Sequence, residues 1–301
     1  LDLTAQNTAE EAVNKGMATI RRNGFNSAAF VAEDVKTGQV VAVVGGSDFT
    51  NKDYGQNNYA HWRLPPGSSF KPYDYLSLIE NTTDFGAGSV LYDTQGPVGN
   101  YTCTNKARPP AGNCLFDYDF RYPGPLTLRY SLGGSRNVPA VKAMLIAGVD
   151  KTIDTANKLG LTSGYKCYRA EIEDVNEAGK EDEAQCYESS AIGDGAYLYL
   201  DEHVHAYATL SRNGNKIPQT YLMKVEDTGG RTLYEWKASK GEQVVRDEAA
   251  YIVADMMADP RASYMGRKPH LYKGHKFSVK TGTTNDSKDG WLMGFSTQYS
   301  A

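Results

Sequence analysis

The chain has few of the features that would place it in a membrane or on nucleic acid. Among its 301 residues, no apolar run approaches the ~18 residues that a membrane-spanning helix needs. Its formal net charge is -4 and its isoelectric point is about 5.8, so the composition gives no reason to expect nucleic acid binding. What remains is a globular chain long enough, at roughly 150 residues per domain, to bury one large core or two.

Cysteine is scarce as well. The four cysteines include no Cys-x-x-Cys pair, which argues against a zinc site, and we expect neither a metal nor a cofactor. They fall into two local pairs, Cys103 with Cys114 and Cys167 with Cys186. Two local disulfides are the preferred interpretation and would place the chain outside the reducing cytosol. Other connectivities and buried free thiols are the alternatives.

The sequence also lacks a Gly-x-Ser-x-Gly motif, which disfavours a serine hydrolase that relies on histidine. We interpret the five histidines as surface or packing residues: His61, His203, His205, His270 and His275. The first residue is Leu1 and the first methionine is Met17, so we interpret the chain as an excised soluble fragment. Any targeting or anchoring segment would then lie upstream.

Three short motifs are present in one order. They are Ser-Ser-Phe-Lys at 68–71, Ser-Arg-Asn at 135–137 and Lys-Thr-Gly at 280–282. Each pattern also occurs at a second place in the chain, and we call these second copies decoys. They are Ser-Gly-Tyr-Lys at 163–166, Ser-Arg-Asn at 211–213 and Lys-Thr-Gly at 36–38. The decoys have the flanks of an aperiodic loop, of a helix end and of a hairpin turn. The flanks therefore favour the first set as the chemically relevant one.

The first motif is predicted to open a helix. Residues 65–67, Pro-Pro-Gly, break any preceding element, and apolar residues then follow at helical spacing as far as Glu80: Phe70, Tyr73, Leu76 and Ile79. Ser68 would lie at the helix N-terminus with Lys71 one turn further on the same face. The unpaired amides of the first turn could receive an oxyanion.

The second motif is predicted at a corner within a helical run over residues 126–161. Gly133 and Gly134 interrupt the run, and Asn137 begins the next helix with a proline in its first turn. Ser135 would project from this corner. The alternative is that Ser135 and Asn137 merely cap the second helix.

The third motif is predicted on a strand over residues 277–281, paired with a strand over 291–295. Strand alternation places Lys280 and Gly282 on one face and Thr281 and Thr283 on the other. Gly282 would leave its face bare for a substrate backbone. The alternative for Lys280 is a solvated lysine on an edge strand.

The remaining segments predict an α/β part interrupted by a helical part. A capping box at residues 8–11 predicts a helix that ends near residue 24. A hairpin follows over 29–44, and its second strand, 40–44, is apolar enough for a buried central strand. Residues 86–125 have the composition of a loop, and further helices are predicted at 201–212 and 246–259.

These residue types suit serine chemistry assisted by lysine. Lys71 can take the proton of the Ser68 hydroxyl only when its amine is neutral. Since the reference pKa of lysine is ~10.4, that requires a depression of roughly 3 units. A second ammonium such as Lys280, with partial burial, would act in this direction. Ser135 could relay a proton to a leaving group, and Asn137 could hold a substrate amide.

The extended strings at 66–72, 135–139 and 280–286 closely resemble the transpeptidase domain of class A, bifunctional penicillin-binding proteins. The resemblance extends over most of the chain, including residues 35–46 and 206–214. It implies an α/β (α+β) fold shared with serine β-lactamases, in which an antiparallel β-sheet is flanked by helices and carries an inserted all-helical subdomain. We expect the α/β part at about 1–80 and 215–301 and the helical part at about 81–214.

The resemblance implies a role for each motif residue. Ser68 would attack the carbonyl between the two terminal D-alanines of a peptidoglycan stem peptide, with Lys71 as base. Ser135 and Lys280 would pass the proton to the departing D-alanine. The amides of Ser68 and Thr283 would form the oxyanion hole. The remaining implied substrate contacts are Thr281 and Thr283 to the terminal carboxylate, Asn137 to a substrate amide, and the bare face of Gly282. β-Lactams would acylate Ser68.

Two departures from the family pattern are visible. Family members continue past the strand at 291–295 with another strand and a closing helix, whereas this chain stops at Ala301. The glycosyltransferase domain that normally lies upstream is also absent. We expect the native protein to be anchored in the bacterial membrane upstream of this fragment and to act on its extracytoplasmic side.

Other functions stay open on the sequence. A D,D-carboxypeptidase would use the same residues with water as acceptor. A β-lactamase is ranked low because no segment convincingly matches its Glu-x-x-x-Asn loop. A module that binds peptidoglycan or β-lactams without catalysis is the alternative from a different class.

Overall fold

The computed structural model describes residues 1–103, 112–161, 166–167, 186–284 and 288–301. Within these ranges the α-helices are α1 (Leu3–Arg22), α2 (Lys71–Asn81), α3 (Leu128–Gly133), α4 (Asn137–Ala147), α5 (Val149–Leu159), α6 (Leu200–Ser211) and α7 (Asp247–Met257). Short 3-10 turns lie at Tyr59–His61, Gly67–Phe70 and Glu188–Ile192.

The strands divide into one main sheet and several short pairs. The main-sheet strands are β1 (Phe30–Asp34), β2 (Val40–Val44), β13 (Ser278–Thr283), β14 (Gly290–Phe295) and β15 (Tyr299–Ser300). The paired short strands are β3 (Val90–Asp93) with β4 (Gly124–Thr127), β5 (Lys166–Cys167) with β6 (Ala196–Tyr197), β7 (Asn215–Lys216) with β10 (Glu242–Gln243), β8 (Lys224–Glu226) with β9 (Thr232–Glu235), and β11 (Leu271–Tyr272) with β12 (His275–Lys276).

The main sheet is antiparallel throughout, in the order β13-β14-β15-β1-β2. Helix α1 packs on β2, where Ala9 and Val13 meet Ala32, Ala42 and Val44 in a small apolar cluster. Helix α6 packs on β1, β14 and β15, and α7 packs on β13. The sheet thus has helices on both faces, as predicted.

The larger core lies between the main sheet and the helices α2, α4, α5, α6 and α7. The predicted apolar stripe of α2 contributes Phe70, Tyr73, Leu76 and Ile79, all of which are buried. Helices α2, α4 and α5 pack on one another, whereas α6 packs on the sheet. The division of the chain near residues 80 and 215 stays a prediction.

The prediction for the start of α1 was wrong. The helix begins at Leu3, and the Asp2 carboxylate caps it by accepting the Ala5 amide at 2.9 Å. The Thr8 hydroxyl instead donates to the Thr4 carbonyl inside the helix. The cap of the helix is therefore Asp2, six residues before Thr8, which the capping-box pattern predicted as the cap.

The prediction that residues 40–44 form a central strand was also wrong, because β2 is an edge of the sheet. Its burial comes from α1, which covers one face. The same helix covers the open edge: the Gln6 side chain accepts from the Val43 amide at 2.9 Å and donates to the Val43 carbonyl at 2.8 Å. The Asp2 amide donates to the Val41 carbonyl. At the other end of β2 the Val40 amide donates to the Thr220 carbonyl at 2.8 Å, so side-chain and loop groups take the place of a neighbouring strand along this edge.

Residues 86–125 are less irregular than their composition predicts. The strands β3 and β4 pair through the register from Val90 with Thr127 to Asp93 with Gly124. Because β4 extends to Thr127, the following helix starts at Leu128 rather than near Leu126, and Thr127 caps it. The other predicted helices and strands are confirmed to within a few residues.

The first cysteine pair is joined by a disulfide between Cys103 and Cys114, as preferred from the sequence. Cys186 is also disulfide-bonded. The side chain of Cys167 lies outside the described residues, so its pairing with Cys186 stays a prediction. None of the helices in the described part of the chain is both long enough and apolar enough to cross a bilayer.

We predict that Glu33→Ala destabilises the fold by about 3–5 kcal/mol, since it leaves a buried charge without its partner. Glu33 on β1 is fully buried, and its carboxylate binds Arg212 at 3.0 Å and His205 at 2.9 Å. Urea denaturation monitored by circular dichroism measures the change. The control is Glu226→Ala, which breaks an exposed ion pair to Lys224 and should cost at most about 1 kcal/mol. Equal losses in both variants would contradict the prediction.

Candidate active site

The first motif lies on the 3-10 turn Gly67–Phe70, which runs directly into α2. Ser68 is half-buried on this turn, and its carbonyl accepts the backbone amide of Lys71. Lys71 begins α2 and its side chain is fully buried. Ser68 is therefore partly accessible to solvent, whereas Lys71, three residues later, is enclosed.

Glycines let this turn lie directly against β13. Gly67 has φ of +53°, and a Cβ added there would lie 2.5 Å from the Thr283 carbonyl oxygen. A Cβ at Gly282 would lie 2.3 Å from the Pro66 carbonyl oxygen. The face of Gly282 is thus filled by the turn that carries Ser68, which corrects the expectation that a substrate backbone lies there. The close approach brings Ser68 beside Thr283.

Lys71 reaches the corner between α3 and α4. Its amine donates to the Ser135 carbonyl at 2.6 Å and to the Asn137 side-chain oxygen at 2.5 Å. A neutral amine has two N–H groups and one lone pair. Both N–H groups are therefore used by acceptors that cannot themselves donate, and the lone pair is left for another proton.

Lys280 approaches the same corner from β13. Its amine donates to the Ser135 hydroxyl at 2.8 Å and to the Thr281 carbonyl at 2.9 Å. Lys280 is 3% exposed, so the alternative of a solvated edge lysine is wrong even though β13 is an edge strand. Ser135, at φ of +53°, holds a backbone conformation that is uncommon outside glycine and is often found at functional sites.

The alternative that Ser135 and Asn137 only cap α4 is also wrong. The capping position is Arg136, which makes no side-chain capping bond. Asn137 instead spans the site: its oxygen accepts from Lys71, and its amide nitrogen donates to the Phe116 carbonyl at 2.7 Å. The three motifs therefore meet at one place through Lys71, Ser135, Asn137 and Lys280.

Both lysines are shifted towards the neutral amine. Burial lowers the pKa of Lys71 to about 7, while the Asp117 and Asp74 carboxylates act in the opposite direction. Burial, and then the charge of Lys71, hold the pKa of Lys280 well below its ordinary value. The predicted direction is found, but the leading cause for Lys71 is burial rather than the second ammonium.

Sequence reasoning missed the charged groups that hold the corner. Arg136 binds Asp93 at 2.6 Å, Asp119 at 2.9 Å and Asp117 at 3.3 Å. Asp117 also accepts the backbone amide of Asn137. Burial and a hydrogen bond to Asp93 raise the pKa of Asp117 to about 7. The position of Arg136 inside the second motif could have indicated a charged residue near the site. The three aspartates lie in a stretch without periodicity, which gave no such indication.

Asp74 was also missed. It is fully buried on α2, and neither of its carboxylate oxygens has a hydrogen-bond partner among the described residues. Burial raises its pKa well above the ordinary value. Burial thus favours the protonated form of Asp74, whereas a charged Lys71 favours its carboxylate, and only the carboxylate form raises the pKa of Lys71.

The threonines of the third motif lie at the exposed side of the site. The Thr281 hydroxyl bonds to the hydroxyl of Tyr264, which sequence reasoning did not select. Thr283 is exposed at the end of β13. Thr283 lies against the turn that carries Ser68 through Gly67, and the proposed roles of both threonines stay predictions.

The decoys lie apart from this cluster where they can be described. Residues 36–38 form the turn between β1 and β2. Ser211 ends α6 and donates to the Ser296 carbonyl at 2.7 Å, and Arg212 binds Glu33. Residues 163–165 lie outside the described residues.

The fold and the cluster of serine and lysine side chains point to the penicillin-binding class of proteins. The chain matches the family described as penicillin-binding protein transpeptidase domain over residues 28–300, and it belongs to that family. This result confirms the resemblance noted in the sequence.

Its relatives carry matching names. Penicillin-binding protein 2D of Bacillus subtilis is 27% identical over 100% of this chain and 40% of its own length. Penicillin-binding protein 1A/1B of Bacillus subtilis is 28% identical over 89% of this chain and 28% of its own length. The chain therefore spans less than half of these relatives.

Solved structures show the same fold. The PonA1 protein of Mycobacterium tuberculosis, in complex with penicillin V, has a TM-score of 0.75 at 23% identity and covers 100% of this chain and 73% of its own. Penicillin-binding protein 1A of Haemophilus influenzae has a TM-score of 0.69 at 22% identity, over 91% of this chain and 42% of its own. The predicted fold class is confirmed.

We predict that one lysine titrates near pH 7 in the folded protein and that Asp117→Asn lowers its pKa further. The substitution removes the carboxylate that most favours the Lys71 ammonium while keeping an acceptor for the Asn137 amide. The ¹³Cε chemical shift of labelled lysine, followed against pH and assigned with Lys71→Ala, measures the change.

The matched control is Asp119→Asn. Asp119 also binds Arg136 but is not among the groups that shift Lys71, so its substitution should leave the titration in place. A Lys71 that titrates near pH 10, or a rise in its pKa in Asp117→Asn, would contradict the assignment.

Proposed function

We propose that this domain is a peptidoglycan D,D-transpeptidase that works through a serine acyl-enzyme. The observation that carries the proposal is the bonding of Lys71, whose two N–H groups are both given to the corner at Ser135 and Asn137. A neutral amine held in this way is a general base with its lone pair available. Membership of the transpeptidase family supports the same chemistry.

In the first step, the Ser68 oxygen attacks the carbonyl carbon between the two terminal D-alanines of a stem peptide. The hydroxyl proton passes to the Lys71 amine as the bond forms. The developing oxyanion is received by the backbone amides of Ser68 and Thr283, and the close packing of Gly67 on Thr283 supports this pairing. Loss of one such donor costs ~10²- to 10³-fold in rate in serine enzymes.

In the second step, the bond to the terminal D-alanine breaks and its nitrogen takes a proton. Ser135 supplies that proton: its oxygen accepts from Lys280, which leaves its own hydrogen free to be donated. The proton then comes back through the lysines to restore Ser135. Thr281 and Thr283 hold the terminal carboxylate, and Asn137 orients the substrate.

In the third step, an amine from a neighbouring stem peptide attacks the acyl carbon and gives a proton to the neutral Lys71 amine. The ester bond to Ser68 then breaks, and Lys71 passes that proton to the Ser68 oxygen. The product is a cross-link. A β-lactam ring offers a similar carbonyl to Ser68 and forms an ester that persists. The structure of PonA1 in complex with penicillin V, a protein of the same fold, supports β-lactams as ligands.

The proposed substrate indicates the cellular compartment in which the domain acts. Peptidoglycan stem peptides are cross-linked outside the cytoplasm, and the disulfide between Cys103 and Cys114 suits an oxidising compartment. We therefore place the domain on the extracytoplasmic face of a bacterial membrane, in a longer protein that also carries a glycosyltransferase domain. The lengths of the relatives, of which this chain covers 40% and 28%, support a longer protein.

We predict that a fluorescent penicillin forms a stable covalent adduct with the domain and that Ser68→Ala abolishes it. Denaturing gel electrophoresis and mass spectrometry measure the adduct and its site. The matched control is Ser163→Ala in the decoy Ser-Gly-Tyr-Lys, which should label as the unmodified chain does. Labelling that survives in Ser68→Ala, or rapid turnover of the penicillin, would refute the assigned nucleophile or the assigned class.

We also predict that a donor peptide ending in D-Ala-D-Ala gives a cross-linked product when an acceptor stem peptide is present. Chromatography of the reaction separates dimer from monomer that has only lost D-alanine. Dimer that disappears in Ser68→Ala supports the transpeptidase. Loss of D-alanine without dimer would reassign the domain as a D,D-carboxypeptidase, and no reaction would indicate a binding module.

A further inference from the structure

A buried hydrogen-bond network lies directly beneath the turn that carries Ser68. Four side chains form it, from the turn, from α2 and from α6: Ser69, Tyr73, His203 and Tyr207. All four are fully buried. His203 is central, with Nε2 at 2.9 Å from the Ser69 oxygen and Nδ1 at 2.9 Å from the Tyr73 oxygen.

The protons of this network can be assigned from its acceptors. The Ser69 hydroxyl donates its single hydrogen to the Pro66 carbonyl at 2.7 Å, because a carbonyl can only accept. Ser69 must then accept from His203, so the proton of the imidazole lies on Nε2. Nδ1 is left as an acceptor for the hydroxyl of Tyr73. His203 is therefore the neutral Nε2–H tautomer.

The network bonds to the backbone on both sides of the nucleophile. Through Ser69 it holds the Pro66 carbonyl, two residues before Ser68, and Tyr207 donates to the Ser69 carbonyl, one residue after it, at 2.7 Å. The β-sheet adds one further restraint, since the Trp291 ring nitrogen donates to the Pro65 carbonyl at 2.9 Å. These bonds fix where the Ser68 oxygen and amide point.

We propose that His203 is a positioning residue for the nucleophile, acting through Ser69 to hold the turn from Pro66 to Ser69 in the geometry that acylation needs. The inference rests on the proposed serine acyl-enzyme. It corrects the view of His203 as a residue that only fills space. Burial lowers the pKa of His203 to about 3, so the tautomer persists over the pH range in which Lys71 titrates.

His203 faces few charges in this setting. The groups packed around it are the rings of Tyr73, Tyr207 and Trp291 and the hydroxyl of Ser69. No charged group contributes to the shift in its pKa, which burial alone explains. Its contribution is therefore geometric, and a side chain that reproduces the donor and the acceptor should replace it.

The test is the rate of acylation by a fluorescent penicillin at saturation, with the concentration for half-saturation measured separately. We expect His203→Leu to lower the saturating rate about 10- to 100-fold, since a displacement of ~1 Å can cost 10²-fold, and to change half-saturation little. His203→Gln keeps an amide N–H for Ser69 and a carbonyl for Tyr73, and should recover most of the rate.

Two further variants separate positioning from stability. Ser69→Ala should lower the rate to a similar extent, and the double variant with His203→Leu should lose little more, because both act through one bond. The matched control is His205→Leu, which removes the next buried histidine of α6, bonded to Glu33 rather than to the turn. It should lower the melting temperature and leave the saturating rate of the folded protein unchanged.

An unchanged rate in folded His203→Leu, equal rates in His203→Leu and His203→Gln, or an equal rate loss in His205→Leu would each overturn the inference. If His203→Leu does not fold, Ser69→Ala and His203→Gln decide, because an unchanged rate in the first or a large loss in the second contradicts it. Absence of any adduct in the unmodified chain would instead refute the proposed function.

Discussion

The burial of two lysine amines at one corner is the constraint on which the rest of the site depends. An ammonium in such a place is costly, so burial itself favours the neutral amine that a general base must be. Lys71 and Lys280 are both held by oxygen acceptors around Ser135, and each has at least two donors satisfied. The same desolvation that would destabilise a charged lysine thus prepares its chemistry.

Three elements have to meet for this burial to exist. The turn Gly67–Phe70 and helix α2 supply Lys71, the corner between α3 and α4 supplies Ser135 and Asn137, and β13 supplies Lys280. The ion pairs of Arg136 with three aspartates hold the corner, and the small surface of Gly67 and Gly282 lets the turn lie against β13. On its buried side, the turn is held by the hydrogen bonds of the network around His203.

Local patterns predicted much of this arrangement. The Pro-Pro-Gly break located the turn at Ser68, and the paired glycines located the corner at Ser135, because both signals depend on backbone geometry that neighbouring residues dictate. Contacts between segments that are far apart in the sequence were not predictable. The apolar sequence of β2 is typical of a central strand, although β2 is an edge strand covered by α1. Asp117 and His203 likewise bond to residues of distant segments. Gly282 was read correctly as a close approach, but its neighbour is the chain itself.

The central claim is that Lys71 is a neutral base with its lone pair free, and neutron diffraction of deuterated crystals grown about one unit above the pKa of about 7 tests it most directly. The account predicts two deuterons on the Lys71 nitrogen, one directed to the Ser135 carbonyl and one to the Asn137 oxygen, with one deuteron on the Ser68 oxygen. Three deuterons on Lys71 would show an ammonium that cannot accept the Ser68 proton and would contradict the account.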